Sequence, residues 1–208
     1  MAEYKTTWEK LVAGFRIVTT RVVAVFAAAL LLLNESCWPK DGTLAFALKM
    51  TGIVLIVAGA FGRLWCTLFI SGYKTERLIT SGPYSIARNP LYLFSFIGIL
   101  GIAMSTQMLT VVALVILLFA FYYPTVIVLE ERKLLKLHGA VFEEYCKKVP
   151  SFIPKFSGYQ EPETYAFTTR LYRKAMFDAM WFVLVYPLIG VIEHLHRAGW
   201  LPAYYQIW

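Results

Sequence analysis

The chain has 208 residues, of which 59% are hydrophobic, 16% aromatic and only 16% charged, with a formal net charge of +7 at pH 7. A soluble domain carries about 25% charged residues, so this composition excludes an ordinary soluble globular protein. Cys37, Cys66 and Cys146 lie too far apart for a disulfide scaffold. The basic residues occupy gaps between hydrophobic runs, where they orient a membrane protein rather than bind nucleic acid.

The first apolar run, Ile17 to Asn34, has Arg16 and Arg21 at its start. Its far end reads Asn34-Glu35-Ser36, too polar for a lipoprotein-type cleavage site, so the run is expected to be an anchor and not a signal peptide. A second span is predicted over Leu44 to Ile70, with Gly52, Gly59 and Gly62 allowing a neighbouring helix to approach closely. A third begins at Pro90 and reaches Thr106, and a fourth runs from Met108 to Leu129. So little chain separates these two that they form a tight helical hairpin. A fifth covers Ala175 to Leu195, with Pro187 as an expected kink.

Lysine and arginine crowd three segments: the N-terminal arm (Lys5, Lys10, Arg16, Arg21), the stretch holding Lys74, Arg77 and Arg88 with Arg63 before it, and the region from Arg132 to Lys174. The opposite side keeps little beyond Lys40 and Arg197. This asymmetry puts the N-terminus in the cytoplasm, the C-terminus outside, and the polar segments 71–89 and 130–174 together on the cytoplasmic face. Tyr4, Trp8, Trp200, Tyr204, Tyr205 and Trp208 read as interfacial anchors.

The first polar segment contains GPYSIARNPLY, residues 82–92. Asn89 before Pro90 is a helix start, with an N-cap side chain followed by proline at the first helical position. A helix N-terminus with Arg88 beside it suits an anion. The second segment opens with Glu130 and Glu131, which close the fourth span; carboxylates at a helix C-terminus oppose the macrodipole, and at a membrane boundary they want a partner. An amphipathic interfacial helix follows near 132–148, interrupted at Gly139, and another is expected near 163–174 leading into the fifth span, with Asp178 just beyond it expected to pair with Arg173 or Lys174 on the same helix. Glu193, His194 and His196 do not make a metal site, because a His-x-His pair on a helix points its rings about 200° apart.

GPYSIARNPLY resembles the G-x-Y-x(3)-R-[HN]-P-x-Y signature of the isoprenylcysteine carboxyl methyltransferases, relatives of the phospholipid methyltransferases. The run from Glu130 to Pro154 resembles the family's second signature, EE-x(2)-L-x(4)-G-x(2)-[YF]-x(2)-Y-x(3)-VP-x(3)-P. The resemblance covers about residues 44–155; a membrane methyltransferase core is therefore expected over 1–155 and a C-terminal extension over 156–208. It implies an all-α polytopic protein of a bacterial-type inner membrane. The implied cofactor is S-adenosylmethionine, bound at the cytoplasmic boundary without a soluble nucleotide-binding domain. By position, Glu76, Arg77, Leu78, Ile79, Tyr84, Asn89, Pro90, Leu91, Tyr92 and Glu130 match the residues that hold that cofactor. Arg88, Glu130 and Glu131 match the charged residues of the reaction centre, Glu131 being the expected base for an amine acceptor.

The implied activity is methyl transfer to a lipid or other lipophilic acceptor, by carboxyl O-methylation or by phospholipid-type N-methylation. A homo-oligomer stays open. So do a non-catalytic lipid-binding or assembly protein on the same scaffold and an NADPH-dependent reductase. Three departures bear on the acceptor. Asn89 stands where the eukaryotic prenylcysteine enzymes carry histidine, Ser151 where many relatives carry arginine, and Val126 where the prenylcysteine enzymes have the arginine that faces the substrate carboxylate.

Overall fold

The computed structural model describes residues 21–22, 24–39, 42–71 and 77–207. Glu76, the start of the first span, the anchors Tyr4, Trp8 and Trp208, and Lys5, Lys10, Arg16, Lys40 and Lys74 lie outside the described residues. The chain runs through α1 (Ala24–Leu33), β1 (Asn34–Ser36), α2 (Thr43–Ile70), α3 (Pro83–Ile86), α4 (Pro90–Ser105), α5 (Leu109–Phe121), α6 (Tyr123–His138), α7 (Ala140–Lys148), a 3-10 turn (Phe156–Gly158), α8 (Thr169–Arg197) and β2 (Tyr205–Ile207). Among the described residues, three stretches are long and apolar enough to cross a membrane: Thr43–Ile70, Leu109–His138 and Thr169–Arg197; α1 and α4 are shorter apolar helices. This is the all-α membrane architecture expected.

The bundle is organised around α2 and α4, whose backbones touch. A Cβ added at Gly59 would stand 2.5 Å from the Gly98 nitrogen, and one at Gly101 would stand 2.6 Å from the Gly52 carbonyl oxygen. Between lipid-immersed helices, where apolar burial gives no drive, such glycine contacts let dispersion and Cα–H···O contacts hold the pair. Helix α8 covers α2 and α4, with Phe182 over Gly98. Near its C-terminal end, Glu193 pairs with Lys49 of α2 at 2.6 Å. Pro187 lies inside α8 without ending it. The hairpin turn between α4 and α5 is held by the Thr106 hydroxyl, which donates to the Ala103 carbonyl at 2.7 Å and accepts the Met108 N–H at 3.2 Å.

Several expectations need correction. Helix does not stop at Leu129: α5 and α6 together continue to His138, about two and a half turns further. Leu134, Leu135 and Leu137 keep the apolar spacing going, and the end comes at Gly139, whose φ of +53° favours glycine. Glu130 and Glu131 therefore sit inside a helix, away from the C-terminal pole that would oppose their charge. The interfacial segment near 132–148 is consequently the last part of α6 plus the separate α7. Nor is there a distinct helix at 163–174; residues 163–168 are irregular and Thr169 begins α8. Among the described residues Asp178 forms no ion pair with Arg173 or Lys174; the cation it acts on is Arg63 of α2.

At the end of the bundle away from the polar segments, β1 and β2 pair in parallel, Asn34 opposite Tyr205. Buried His196 joins the same end, with Nε2 3.1 Å from the Leu31 carbonyl oxygen and Nδ1 3.0 Å from that of Leu201. Nothing in Asn-Glu-Ser signals a strand; the pairing exists because the bundle brings two chain segments together.

Candidate functional site

The chain between α2 and α4 folds down over the end of the bundle as α3. Gly82 adopts φ +60° with the Phe69 ring beneath it, and its N–H donates to the Gln160 carbonyl at 2.7 Å. The segment 149–160 then runs alongside: the N–H groups of Arg88 and Asn89 donate to the carbonyls of Pro150 and Ser151 at 2.8 and 3.1 Å, and that of Lys155 to Ile86 at 2.9 Å. Tyr145 of α7 donates its hydroxyl to the Tyr84 carbonyl at 2.6 Å. The two sequence motifs are thereby stitched together through backbone.

Glu131 is the hub of this junction. Its Oε1 accepts from Arg88 Nε at 3.0 Å, from Asn89 Nδ2 at 2.7 Å and from the Ser151 hydroxyl at 2.9 Å, while Oε2 accepts from Arg88 Nη2 at 3.1 Å. Arg88 Nη1 also donates to the carbonyls of Cys146 at 3.1 Å and Val149 at 2.8 Å. The pair is mostly buried, with side chains 15% and 19% exposed. Burial alone would lower Arg88, but hydrogen bonding to Glu131 and its charge outweigh that and hold the guanidinium above its ordinary value. Asn89 occupies the N-cap position of α4 but makes no side-chain cap hydrogen bond. Its amide is spent on Glu131 and Ser151, a partnership that no local pattern announces. Two of the three departures from the family pattern, Asn89 and Ser151, thus meet at one carboxylate.

Beside this brace lies a cleft of ≈ 530 Å³, within the range of small-molecule sites. Of the residues expected from sequence, Tyr84, Arg88, Asn89, Leu91, Tyr92 and Glu130 line it. Pro90 is fully buried, Leu78 packs on Phe142, Tyr145 and Val149, and Ile79 packs against Cys66, Phe69 and Tyr84. Arg77 is exposed. The Tyr84 hydroxyl is buried with no hydrogen-bond partner among the described residues, and burial pushes its phenol well above the ordinary range, so it is a neutral donor awaiting an acceptor. Val126 also lines the cleft.

Sequence reasoning missed part of the lining. Tyr122 and Tyr123 come from the junction of α5 and α6, Ser95 from α4 and Arg63 from α2. Arg63 contributes to the charge asymmetry of the chain, but a charge inside a membrane helix is itself a signal of function. An apolar groove of ≈ 460 Å³ adjoins the cleft at Tyr123, its walls including Phe96, Phe119, Ile127 and Phe152. Tyr123 stacks on Phe119 with centroids 3.9 Å apart, forming the partition between the two spaces.

The family model described as phospholipid methyltransferase matches residues 42–141. Over 189 residues the chain is 34% identical to the nickel-cobalt-cadmium resistance protein NccN of Alcaligenes xylosoxydans xylosoxydans, covering 91% of this chain and 88% of that one. It is 39% identical to the cobalt-zinc-cadmium resistance protein CzcN of Cupriavidus metallidurans, covering 90% and 86%. A shorter match, 39% identical over 85 residues, is to the protein-S-isoprenylcysteine O-methyltransferase of Schizosaccharomyces pombe, covering 39% of this chain and 34% of that enzyme. No solved structure matches.

Proposed function

The chain belongs to the phospholipid methyltransferase family of membrane methyltransferases, and on that premise we propose that it transfers a methyl group from S-adenosylmethionine to a lipophilic acceptor at the cytoplasmic membrane surface. The observation that carries this reading is the cleft wall shared by Glu130 and Tyr84, a tyrosine whose buried hydroxyl has no hydrogen-bond partner among the described residues. An orphaned donor beside a carboxylate suits a ligand bearing oxygen acceptors, hydroxyls and an ammonium, all of which S-adenosylmethionine has.

Bound there, the cofactor supplies a methyl group already activated on a sulfonium. What the chain contributes is placement. Tyr84 donates to an oxygen of the ligand, and Glu130 accepts from ribose hydroxyls or pairs with the ammonium. The N-terminal end of α4, carried by Asn89 and Leu91, adds its positive pole to the cleft wall. Arg88 and Glu131 act as positioning residues: their mutual hydrogen bonds fix the loop that presents Tyr84 and the first turn of α4. Most of the rate gain in such a transfer comes from alignment and exclusion of water. The adjoining apolar groove accommodates the tail of an acceptor arriving from the bilayer.

Arg77, Arg132, Lys133 and Lys136 flank this end of the bundle, which supports placing it in the cytoplasm. NccN and CzcN are named for metal resistance. We read methylation of a membrane component as this chain's contribution to such a phenotype; among the described residues no three His, Cys, Asp or Glu side chains converge.

The test is label transfer. Proteoliposomes given S-adenosyl-[methyl-³H]methionine and total membrane lipid are expected to yield radioactivity in an organic-extractable product, and Glu130→Gln is expected to lower it at least tenfold. No extractable product above protein-free liposomes would refute the proposal.

A further inference from the structure

Arg63 lies seven residues, about 10 Å, before the end of α2, a helix long and apolar enough to cross a membrane. It lines the cleft. A guanidinium at that depth is costly and wants an anion. Among the described residues, its hydrogen-bond partner is the Ser95 hydroxyl, and its guanidinium carbon stands 5.1 Å from the centre of the Phe182 ring. Ser95 passes its own proton on to the Leu91 carbonyl at 2.6 Å, so it offers Arg63 a lone pair but no charge. Asp178 acts on Arg63 from α8 but forms no ion pair with it among the described residues. Arg21, the other cation of the cleft beside the already committed Arg88, is exposed. The geometry leaves Arg63 as a half-buried cation held in place by a hydroxyl and a ring, with donors to spare.

Val126 faces the same cleft from α6. Val126 is apolar and offers no charge to a ligand there. We propose that Arg63 recognises the carboxylate of a lipophilic acceptor. The proposal rests on the methyltransferase reading and names the acceptor class within it. A second observation agrees. Among the described residues the four hydrogen bonds on Glu131 come from Arg88, Asn89 and Ser151, and Glu130, the carboxylate that lines the cleft, is assigned to the cofactor, so no carboxylate of the described cleft lining is left to take a proton from an ammonium or a thiol. A carboxylate acceptor needs none. Its oxygen lone pair forms the new O–CH₃ bond while the S–CH₃ bond breaks, the bonding pair stays on sulfur, and a neutral ester and a thioether result.

The probes are radiolabelled dodecanoate and dodecanol, binding to nanodisc-embedded full-length protein with empty nanodiscs subtracted. Wild type is expected to bind dodecanoate at least tenfold more tightly than dodecanol. Arg63→Gln is expected to abolish that preference, and Arg63→Lys to keep part of it. S-Adenosylhomocysteine and 5′-methylthioadenosine are titrated into the same variants, the second lacking the amino-acid carboxylate. Unchanged affinity for both in Arg63→Gln shows a folded cleft and assigns Arg63 to the acceptor. Selective loss of S-adenosylhomocysteine would assign it to the cofactor and overturn the proposal, as would equal binding of the two probes by wild type or a preference that survives in Arg63→Gln. Failure of wild type to bind either nucleoside, by contrast, would remove the methyltransferase reading itself, and with it the acceptor role.

Discussion

The ion pair between Arg88 and Glu131 is the most demanding test of the local architecture. Glu131→Ala removes two charge-assisted hydrogen bonds from Arg88 and one partner each from Asn89 and Ser151. At 15% and 19% exposure, water replaces little of this. Stranding one member of a buried pair costs about 3–5 kcal/mol. Glu131→Gln keeps the shape and one acceptor oxygen, so its loss is that of a hydrogen bond to a charged group, about 1.5–3 kcal/mol. Replacing both partners, Arg88→Met with Glu131→Leu, strands no charge, and the double variant is expected to be more stable than the sum of the single losses by about 1–3 kcal/mol. The assay is a thermal series in detergent, read as monodisperse protein surviving on size exclusion, because membrane proteins unfold irreversibly and rank order is then the sound measure. Strict additivity of the two substitutions, or a Glu131→Ala variant as stable as wild type, would refute the brace.

Tyr84→Phe is expected to act oppositely on stability and binding. Removing a partnerless buried hydroxyl leaves the unliganded protein as stable or more so, while S-adenosylhomocysteine binds about 2- to 10-fold more weakly for one lost hydrogen bond; equal affinity by calorimetry would contradict the role given to Tyr84. Gly59→Ala would press a methyl group to 2.5 Å from the Gly98 nitrogen, costing about 1–3 kcal/mol. Gly190→Ala, with nothing within 4 Å, serves as the control, and equal melting of the two would refute the close approach of α2 and α4. Burial pushes the Cys146 thiol up, so its thiolate fraction at pH 8 is below that of free glutathione. Its alkylation by iodoacetamide, followed by peptide mass spectrometry, is expected to be slower and still rising above pH 9.

Hydrophobic runs made the membrane helices legible because in lipid each span must satisfy its own backbone hydrogen bonds. The glycines of α2 were legible for the same reason, since close approach replaces apolar burial as the means of association. The end of α6 was harder to read. Glu130-Glu131-Arg132-Lys133 looks like a terminus by polarity, yet helix propensity and three leucines carry it on to Gly139. Within the site, the motifs located the cleft wall at Tyr84, Asn89, Leu91, Tyr92 and Glu130. What Asn89 and Glu131 do there depends on partners 20 to 62 positions away in the chain, a relation that local spacing does not encode. Arg63 escaped notice for a different reason: a single arginine near a membrane boundary satisfies the orientation rule, and only the fold turns it toward a cleft.

The function we propose requires a nucleoside cofactor held between Tyr84 and Glu130, with Glu131 outside the reaction. Calorimetric titration of S-adenosylhomocysteine into wild type, Glu130→Gln and Glu131→Gln in nanodiscs separates the two glutamates. The expected result is saturable binding by wild type, at least a tenfold loss in Glu130→Gln, and affinity within about threefold of wild type in folded Glu131→Gln, since its hydrogen bonds all go to the brace. No binding by folded wild type, or a loss confined to Glu131→Gln, would contradict it.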